Sequence, residues 1–244
     1  MIKAYAKSDI GKVRDINQDY YYISNSLDEV QLYMLADGMG GYKGGEIASS
    51  LAIQSAKSYI ENNFKEIPKD KDSIIQLVGS SMEYANMVVY EKSKENSELE
   101  GMGTTLEVCL IYNNKIYIGH IGDSRIYRIR KDFMRKLTID HSYVQKLVKD
   151  GTITKEEAEV HPKKNMLLKA LGCNAFVEPD VSVKGFLKDD ILLISSDGLT
   201  NMVKQEDIFQ IATGNIEKAP QRLIDLANQH GGMDNITVII IKSI

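Results

Sequence analysis

The sequence predicts an α+β fold in which two packed antiparallel sheets are covered by helices. Segments of period-two polarity arrive in runs, helical patterns arrive in pairs between those runs, and the regular strand-helix alternation of a parallel sheet is missing.

The opening stretches Ile2 to Lys7, Asp19 to Ser24 and Val30 to Ala36 alternate in polarity and read as strands. A helix is expected from Gly45 to Phe64, because Ile47, Leu51, Ser55 and Tyr59, with Ala48, Ala52, Ala56 and Ile60, form one stripe at spacings of four. Asp72 or Ser73 is placed to cap a second helix whose stripe runs Ile74, Leu77, Val78, Met82, Ala85 and Val89 and fades in the polar run Glu91 to Glu100. Thr104 to Tyr112 and Lys115 to Ile121 flank Asn113-Asn114, side chains that tolerate the left-handed backbone of a tight hairpin. Ser124 to Arg130 adds a strand. Ser142 to Gly172 is more polar and helical, with Thr154 and Glu157 at capping-box spacing, and is expected to form a mobile flap. Strands return at Val177 to Val183 and Asp190 to Ser195, helices at Gln205 to Thr213 and Pro220 to His230, and a last strand at Asn235 to Ile241. The even spread of apolar residues over 244 positions suggests one domain, 1-244, with the flap at about 142-172 as a subdomain.

Composition excludes several functions. Hydrophobic residues make up 43% and charged residues 26%, which suits a folded core and argues against disorder. A net charge of -4 with scattered Lys and Arg lacks the footprint of a nucleic-acid binder. No apolar run is long enough for a membrane span or a signal core, so no membrane partner is expected and the expected location is cytoplasmic. Cys109 and Cys173 lack the spacing of a zinc site and are read as buried or inert thiols.

The chemistry lies where strands finish. Tyr33-Met34-Leu35-Ala36 runs into Asp37-Gly38-Met39-Gly40-Gly41, Ile118-Gly119-His120-Ile121 into Gly122-Asp123-Ser124-Arg125, and Leu192-Leu193-Ile194 into Ser195-Ser196-Asp197-Gly198; Gly231-Gly232-Met233-Asp234-Asn235 precedes the last strand. An Asp at a strand end is held by a rigid sheet without being buried in it, and a neighbouring glycine lets a metal or phosphate come close to the backbone. Each Asp-Gly taken singly is a common turn. Four together, with Asp19 closing Arg14-Asp15-Ile16-Asn17-Gln18-Asp19, imply a carboxylate cluster that only a hard cation makes stable. All-oxygen donors favour Mg²⁺ or Mn²⁺, and two such ions about 4 Å apart suit phosphoryl chemistry.

Ser8-Asp9-Ile10-Gly11-Lys12-Val13-Arg14-Asp15-Ile16-Asn17-Gln18-Asp19, Asp37-Gly38-Met39-Gly40-Gly41, Gly101-Met102-Gly103-Thr104-Thr105, Gly122-Asp123-Ser124-Arg125, Asp140-His141-Ser142, Ala170-Leu171-Gly172, Ser196-Asp197-Gly198 and Asp234-Asn235 occur in one order. In that order the chain resembles, over its whole length, the metal-dependent protein phosphatases of type 2C, bacterial branch. The resemblance implies a four-layer αββα sandwich and a serine/threonine protein phosphatase in which a metal-bridging water attacks phosphorus in line, without a phosphoenzyme. It implies two tightly held Mn²⁺ or Mg²⁺ ions and a third, weaker one. Asp37 would bridge the tight pair, the Gly38 carbonyl would bind the second ion, Asp197 and Asp234 the first, and Asp19 would act through bound water. Asp123 and Asp197 match ligands of the third ion, and Arg14 matches the phosphate-binding arginine. Expected partners are phosphoserine and phosphothreonine proteins, including a cognate Ser/Thr kinase, for a protein expected to be a monomer.

The chain departs from animal relatives at Met39, where they carry a histidine able to protonate the leaving oxygen; a thioether has no proton to give. The proton then comes from metal-bound water, from another residue such as His141, or is not transferred in the transition state, and water is favoured. Arg125 is read as a structural partner of a sheet-edge carboxylate and His120 as packed. Two other readings remain: a pseudophosphatase that binds without hydrolysis, and a small-molecule phosphoesterase.

Overall fold

The computed structural model describes residues 1–25 and 30–244, and of residues 41–43 the main chain alone. Its elements in chain order are β1 (Ile2–Asp9), β2 (Asp19–Ile23), β3 (Gln31–Met39), α1 (Gly41–Asn63), α2 (Lys71–Glu95), β4 (Gly103–Thr104), β5 (Leu106–Tyr112), β6 (Lys115–Ile121), β7 (Arg125–Arg130), β8 (Phe133–Lys136), α3 (Tyr143–Lys149), α4 (Lys155–Glu159), β9 (Asp180–Gly185), β10 (Ile191–Ser195), α5 (Asp197–Thr200), α6 (Gln205–Ala212), α7 (Ala219–Gln229) and β11 (Ile236–Ser243).

The strands form two antiparallel sheets. One has the order β1-β11-β10-β7-β8; the other runs β2-β3-β5-β6-β9, with β4 on β3. Period-two alternation puts each strand between two environments. On β3, Met34 and Ala36 face the helices α1 and α2, where they join Ala52, Ile60, Val78 and Met82. Tyr33 and Leu35 face the opposite sheet and pack with Ile126, Leu192, Ile194 and Ile239. The outer side of the first sheet is covered by α5, α6 and α7 through Leu199, Ile208, Leu223 and Ile224. The result is the expected four-layer αββα order. Each fully buried Leu or Ile in these layers contributes roughly 1.5–3 kcal/mol.

Local signals account for most boundaries. Asn113 and Asn114 turn the β5-β6 hairpin with φ of 47° and 57°, the left-handed conformation read from the sequence. Thr154 and Glu157 form the expected capping box. Several boundaries differ, among them the end of β3 at Met39 rather than Ala36 and β9 at Asp180–Gly185 rather than Val177–Val183. The first helix begins at Gly41 rather than Gly45. The second is capped by Asp70, whose Oδ1 accepts from the amides of Asp72 and Ser73 at 3.0 Å, and it runs on to Glu95. Strand β8 and the single-turn helix α5 have no sequence counterpart in the reading, because four residues are too few to display a period.

Candidate metal and phosphate site

The second strand pair ends with carboxylates side by side: Asp19 of β2 and Asp37 of β3 are register partners. The other three arrive from different places, Asp123 after β6, Asp197 at the start of α5 and Asp234 just before β11. A cavity of about 700 Å³ is lined by Arg14, Asp37, Gly38, Asp123, Asp197 and Asp234, with Met39 and Thr105 beside them. Asp19 lies buried next to this group.

Neighbouring polar groups orient the acids. Thr105 Oγ1 accepts from the Asp37 amide at 2.9 Å and hydrogen-bonds Ser124 Oγ, while Thr104 Oγ1 donates to the Asp37 carbonyl. Ser196 Oγ donates to Asp19 Oδ2 at 2.8 Å and itself accepts from the Thr237 amide. Asn201 donates to Asp197 Oδ2. Asn235 joins the two ends of the chain: its Nδ2 donates to the carbonyls of Ile10 and Ile16 and its Oδ1 accepts from the Gln18 amide. That anchors the 10–18 segment, and with it Arg14, against Asp234. Arg14 Nη2 donates to Asp234 Oδ2 at 2.8 Å.

Gly38 is required by space. A Cβ there would stand 2.1 Å from the Gly45 carbonyl oxygen and 2.7 Å from that of Gln18, so only glycine lets β3 pass so close to the first turns of α1.

The electrostatics are those of crowded acids. Burial pushes the Asp19 carboxyl up to about 7, against the pull of the Thr237 and Ser196 hydroxyls. Asp37 is raised well above the usual carboxylate range by burial first and then by the charges of Asp19, Asp197, Asp123 and Asp234. Asp123 is raised to about 7 by burial and by Asp197, and Asp197 to about 6 by burial and by Asp234. Burial and like charge both disfavour ionisation, and a bound cation reverses both.

A divalent cation fits these residues. The donors are hard oxygens, and among the described residues the acids outnumber the nearby cations and Asp19 Oδ1 is buried with no hydrogen-bond partner. Among the described residues no three Asp, Glu, His or Cys side chains already stand as a closed coordination group. Assignment of individual ligands therefore rests on this donor chemistry and on the motifs.

Arg125 pairs with Asp140 through two bonds of 2.7 and 3.0 Å, the structural role read for it. His120 is packed as expected, bonded to buried Glu107 and to the Ile139 carbonyl. His141 does not line the cavity; its ring accepts from the Gly122 amide and pairs with Asp180 at 3.2 Å. Cys109 is buried, but Cys173 is exposed and lines the cavity, which the reading as a buried or inert thiol did not foresee. Sequence reasoning gave no role to Thr105, Ser196 and Asn235, although all three stand inside the quoted motifs, Ser196 and Asn235 directly beside an aspartate.

A family model described as protein phosphatase 2C matches residues 12–225. Protein phosphatase PhpP of Streptococcus pneumoniae serotype 2 is 36% identical over 240 residues, covering 96% of this chain and 95% of that protein. The serine/threonine phosphatase of S. agalactiae superposes with a TM-score of 0.91 at 38% identity, covering all of both chains. The catalytic domain of the Mycobacterium tuberculosis phosphatase PstP, solved in complex with two manganese ions, gives 0.86 at 34% identity, with 99% of this chain and 97% of that one covered. Sheet order, cavity and similarity over the full length agree: the chain belongs to the protein phosphatase 2C family and is a metal-dependent serine/threonine protein phosphatase.

Proposed function

We propose that the cavity removes phosphate from phosphoserine and phosphothreonine proteins, with Asp37, the Gly38 carbonyl, Asp197 and Asp234 holding two Mn²⁺ or Mg²⁺ ions and Asp19 acting through bound water. The observation that carries this reading is the convergence of buried, mutually repelling carboxylates, with raised proton affinity, on one cavity that also holds an arginine. Divalent cations there would supply Lewis-acid polarisation of the phosphoryl oxygens and a nucleophile at neutral pH. Asp123 with Asp197 would hold a third, weaker ion, as their motifs imply.

The protein's own groups do the positioning. Arg14 presents a planar fork suited to two phosphoryl oxygens, and its bond to Asp234 ties it to another residue of the cavity lining. Thr104 and Thr105 fix the main chain on both sides of Asp37. Met39 supplies no proton, so the leaving oxygen takes one from solvent.

Residues 142–172 are proposed as a flap within a single catalytic domain, since Asn165, Leu167, Leu168, Lys169 and Ala170 line the same cavity. The named relatives are protein phosphatases of bacteria, which supports phosphoproteins as substrates and a cognate Ser/Thr kinase as the enzyme being reversed. Among the described residues no helix is long and apolar enough to cross a membrane, in keeping with action in the cytoplasm.

The test is release of phosphate from a phosphothreonine peptide and from p-nitrophenyl phosphate with Mn²⁺, with Mg²⁺ and with EDTA. Turnover of both substrates that EDTA abolishes is expected. Binding of the phosphopeptide with no release under any metal would make the protein a pseudophosphatase; release from the aryl ester alone would make it a small-molecule phosphoesterase.

A further inference from the structure

Helix α2 carries an amide in the middle of its buried side, where the other buried polar residues, Ser81 and Ser93, are serines whose hydroxyls bond back to the helix's own carbonyls. Asn86 is 2% exposed, beside Ala85 and one turn before Val89, where the apolar stripe would otherwise continue. Asparagine is a poor helix former, and a buried amide without partners is destabilising. This one is fully used. Its Nδ2 donates to the carbonyls of Asn174 and Ala175 at 3.1 Å each, and its Oδ1 accepts from the Gly172 amide at 2.9 Å.

The three bonds hold a loop that no strand or helix supports between Gly172 and the start of β9. Gly172 has φ of +82°, and a Cβ there would stand 2.4 Å from Val89 Cγ1, so the loop is pressed onto α2 at this point. Cys173 and Asn174 line the catalytic cavity, and so does Ala170 on the other side of the same turn. Leu171 between them exchanges both main-chain bonds with Thr104, whose hydroxyl donates to the Asp37 carbonyl. Asn86 therefore sits at the head of a short path from α2 through the loop to the catalytic aspartate. Its direct hold is on the part of the cavity wall that carries Cys173 and Asn174.

We propose that Asn86 is a positioning residue for protein substrates: it fixes the 172–175 loop as the wall against which the chain flanking a phosphoresidue rests, while touching no substrate itself. The inference rests on the phosphatase reading of the cavity. A phosphoryl group meets Arg14 and the acids, and needs only a fraction of about 700 Å³. The remaining wall is met by what is attached to it, so the loop bears on peptides more than on small aryl esters.

Asn86→Ala and Asn86→Leu, the second keeping volume while removing every hydrogen bond, test this against p-nitrophenyl phosphate and a phosphothreonine peptide with Mn²⁺. In both variants KM for the peptide should rise about tenfold, with kcat and the aryl-ester KM within about twofold of wild type. Hydrogen exchange should show the Gly172 amide losing protection while β5 and β6 keep theirs. Normal peptide KM in Asn86→Leu would assign the residue to packing and overturn the proposal. So would faster exchange at Gly172 with unchanged KM, an equal KM rise for both substrates, or failure of both variants to fold, each of which makes Asn86 a purely structural group. Wild type inactive on both substrates would instead refute the phosphatase reading, so the two failures are distinguishable.

Discussion

Ser196 and Asp19 join the two sheets at the site: the hydroxyl that follows β10 of one sheet donates at 2.8 Å to the carboxylate that opens β2 of the other, while the second oxygen of Asp19 has no partner. The acids are thus fixed by the meeting of the sheets and strained by each other's charge.

That strain predicts opposite effects of metal and of neutralisation. Mn²⁺ should raise the melting temperature of the wild type, because it binds the folded state and relieves repulsion. Asp37→Asn should lower kcat by about 10²–10³-fold, the scale for loss of one preorganised electrostatic group. In EDTA the same variant should melt about 4 °C higher than wild type, corresponding to about 1–2 kcal/mol in a domain of this size. Scanning calorimetry with and without Mn²⁺ measures both. An unshifted wild type at saturating Mn²⁺ would refute carboxylate clustering as the source of the strain.

Arg14 should matter for substrate and little for folding. Its pair with Asp234 is exposed, with 53% and 33% of the two side chains accessible, and such pairs are worth about 0–1 kcal/mol. Arg14→Ala should therefore leave the melting temperature nearly unchanged and raise KM for a phosphopeptide about tenfold or more, with Mn²⁺ affinity altered far less. Unaltered KM would return the residue to a surface ion pair.

A buried pair away from the ligands should set the response to alkali. Burial pushes Glu107 up to about 7, against the attraction of His120, and His120 is raised by Glu107, the Ile139 carbonyl and Asp140 in spite of its own burial. Both groups bind protons more tightly folded than unfolded. The stability they contribute is present at low pH and is lost as pH rises, from above 4.5 for Glu107 and from above 6.5 for His120, through their folded values. Asp19 and Asp123, also raised to about 7, contribute stability that is lost over the same range, so thermal melts from pH 6 to 9 should show a decline that Glu107→Gln reduces by about 1–2 kcal/mol without abolishing it. A decline identical in the variant would place its origin elsewhere.

Leaving-group chemistry should follow from Met39. His141 is engaged by Gly122 and Asp180 outside the cavity lining, so His141→Ala should not change how steeply rate falls with leaving-group pKa across substituted phenyl phosphates. Met39→His should make that dependence shallower by placing an acid in the cavity. A slope that steepens only in His141→Ala would make His141 the acid.

The sandwich was legible because strand patterns arrive in runs and helices α1 and α2 are long enough to show their stripes. Phe133–Lys136 and Asp197–Thr200 were not, since four residues are too few to show a period; the first is fixed by its hairpin pairing with β7 and the second by packing against β11, which lies far along the chain. The acids of the site could be picked out one by one from the glycines beside them. What holds them could not: the bonds of Asn235 to Ile10, Ile16 and Gln18 span more than 200 residues, and no local pattern announces them.

Those bonds have a consequence for synthesis. The arginine proposed to bind phosphate stands at position 14 and the acid it pairs with at position 234, on segments held together by β1 lying along β11. A growing chain exposes Arg14 early but cannot seat it until residues 234 and 235 have been made and the last strand has inserted between β1 and β10. Under the proposed roles of Arg14 and Asp234, a nascent chain is inert until Asp234 has been made, and a product truncated before it stays inert, even where the helix-covered β2-β3-β5-β6 layer has already formed.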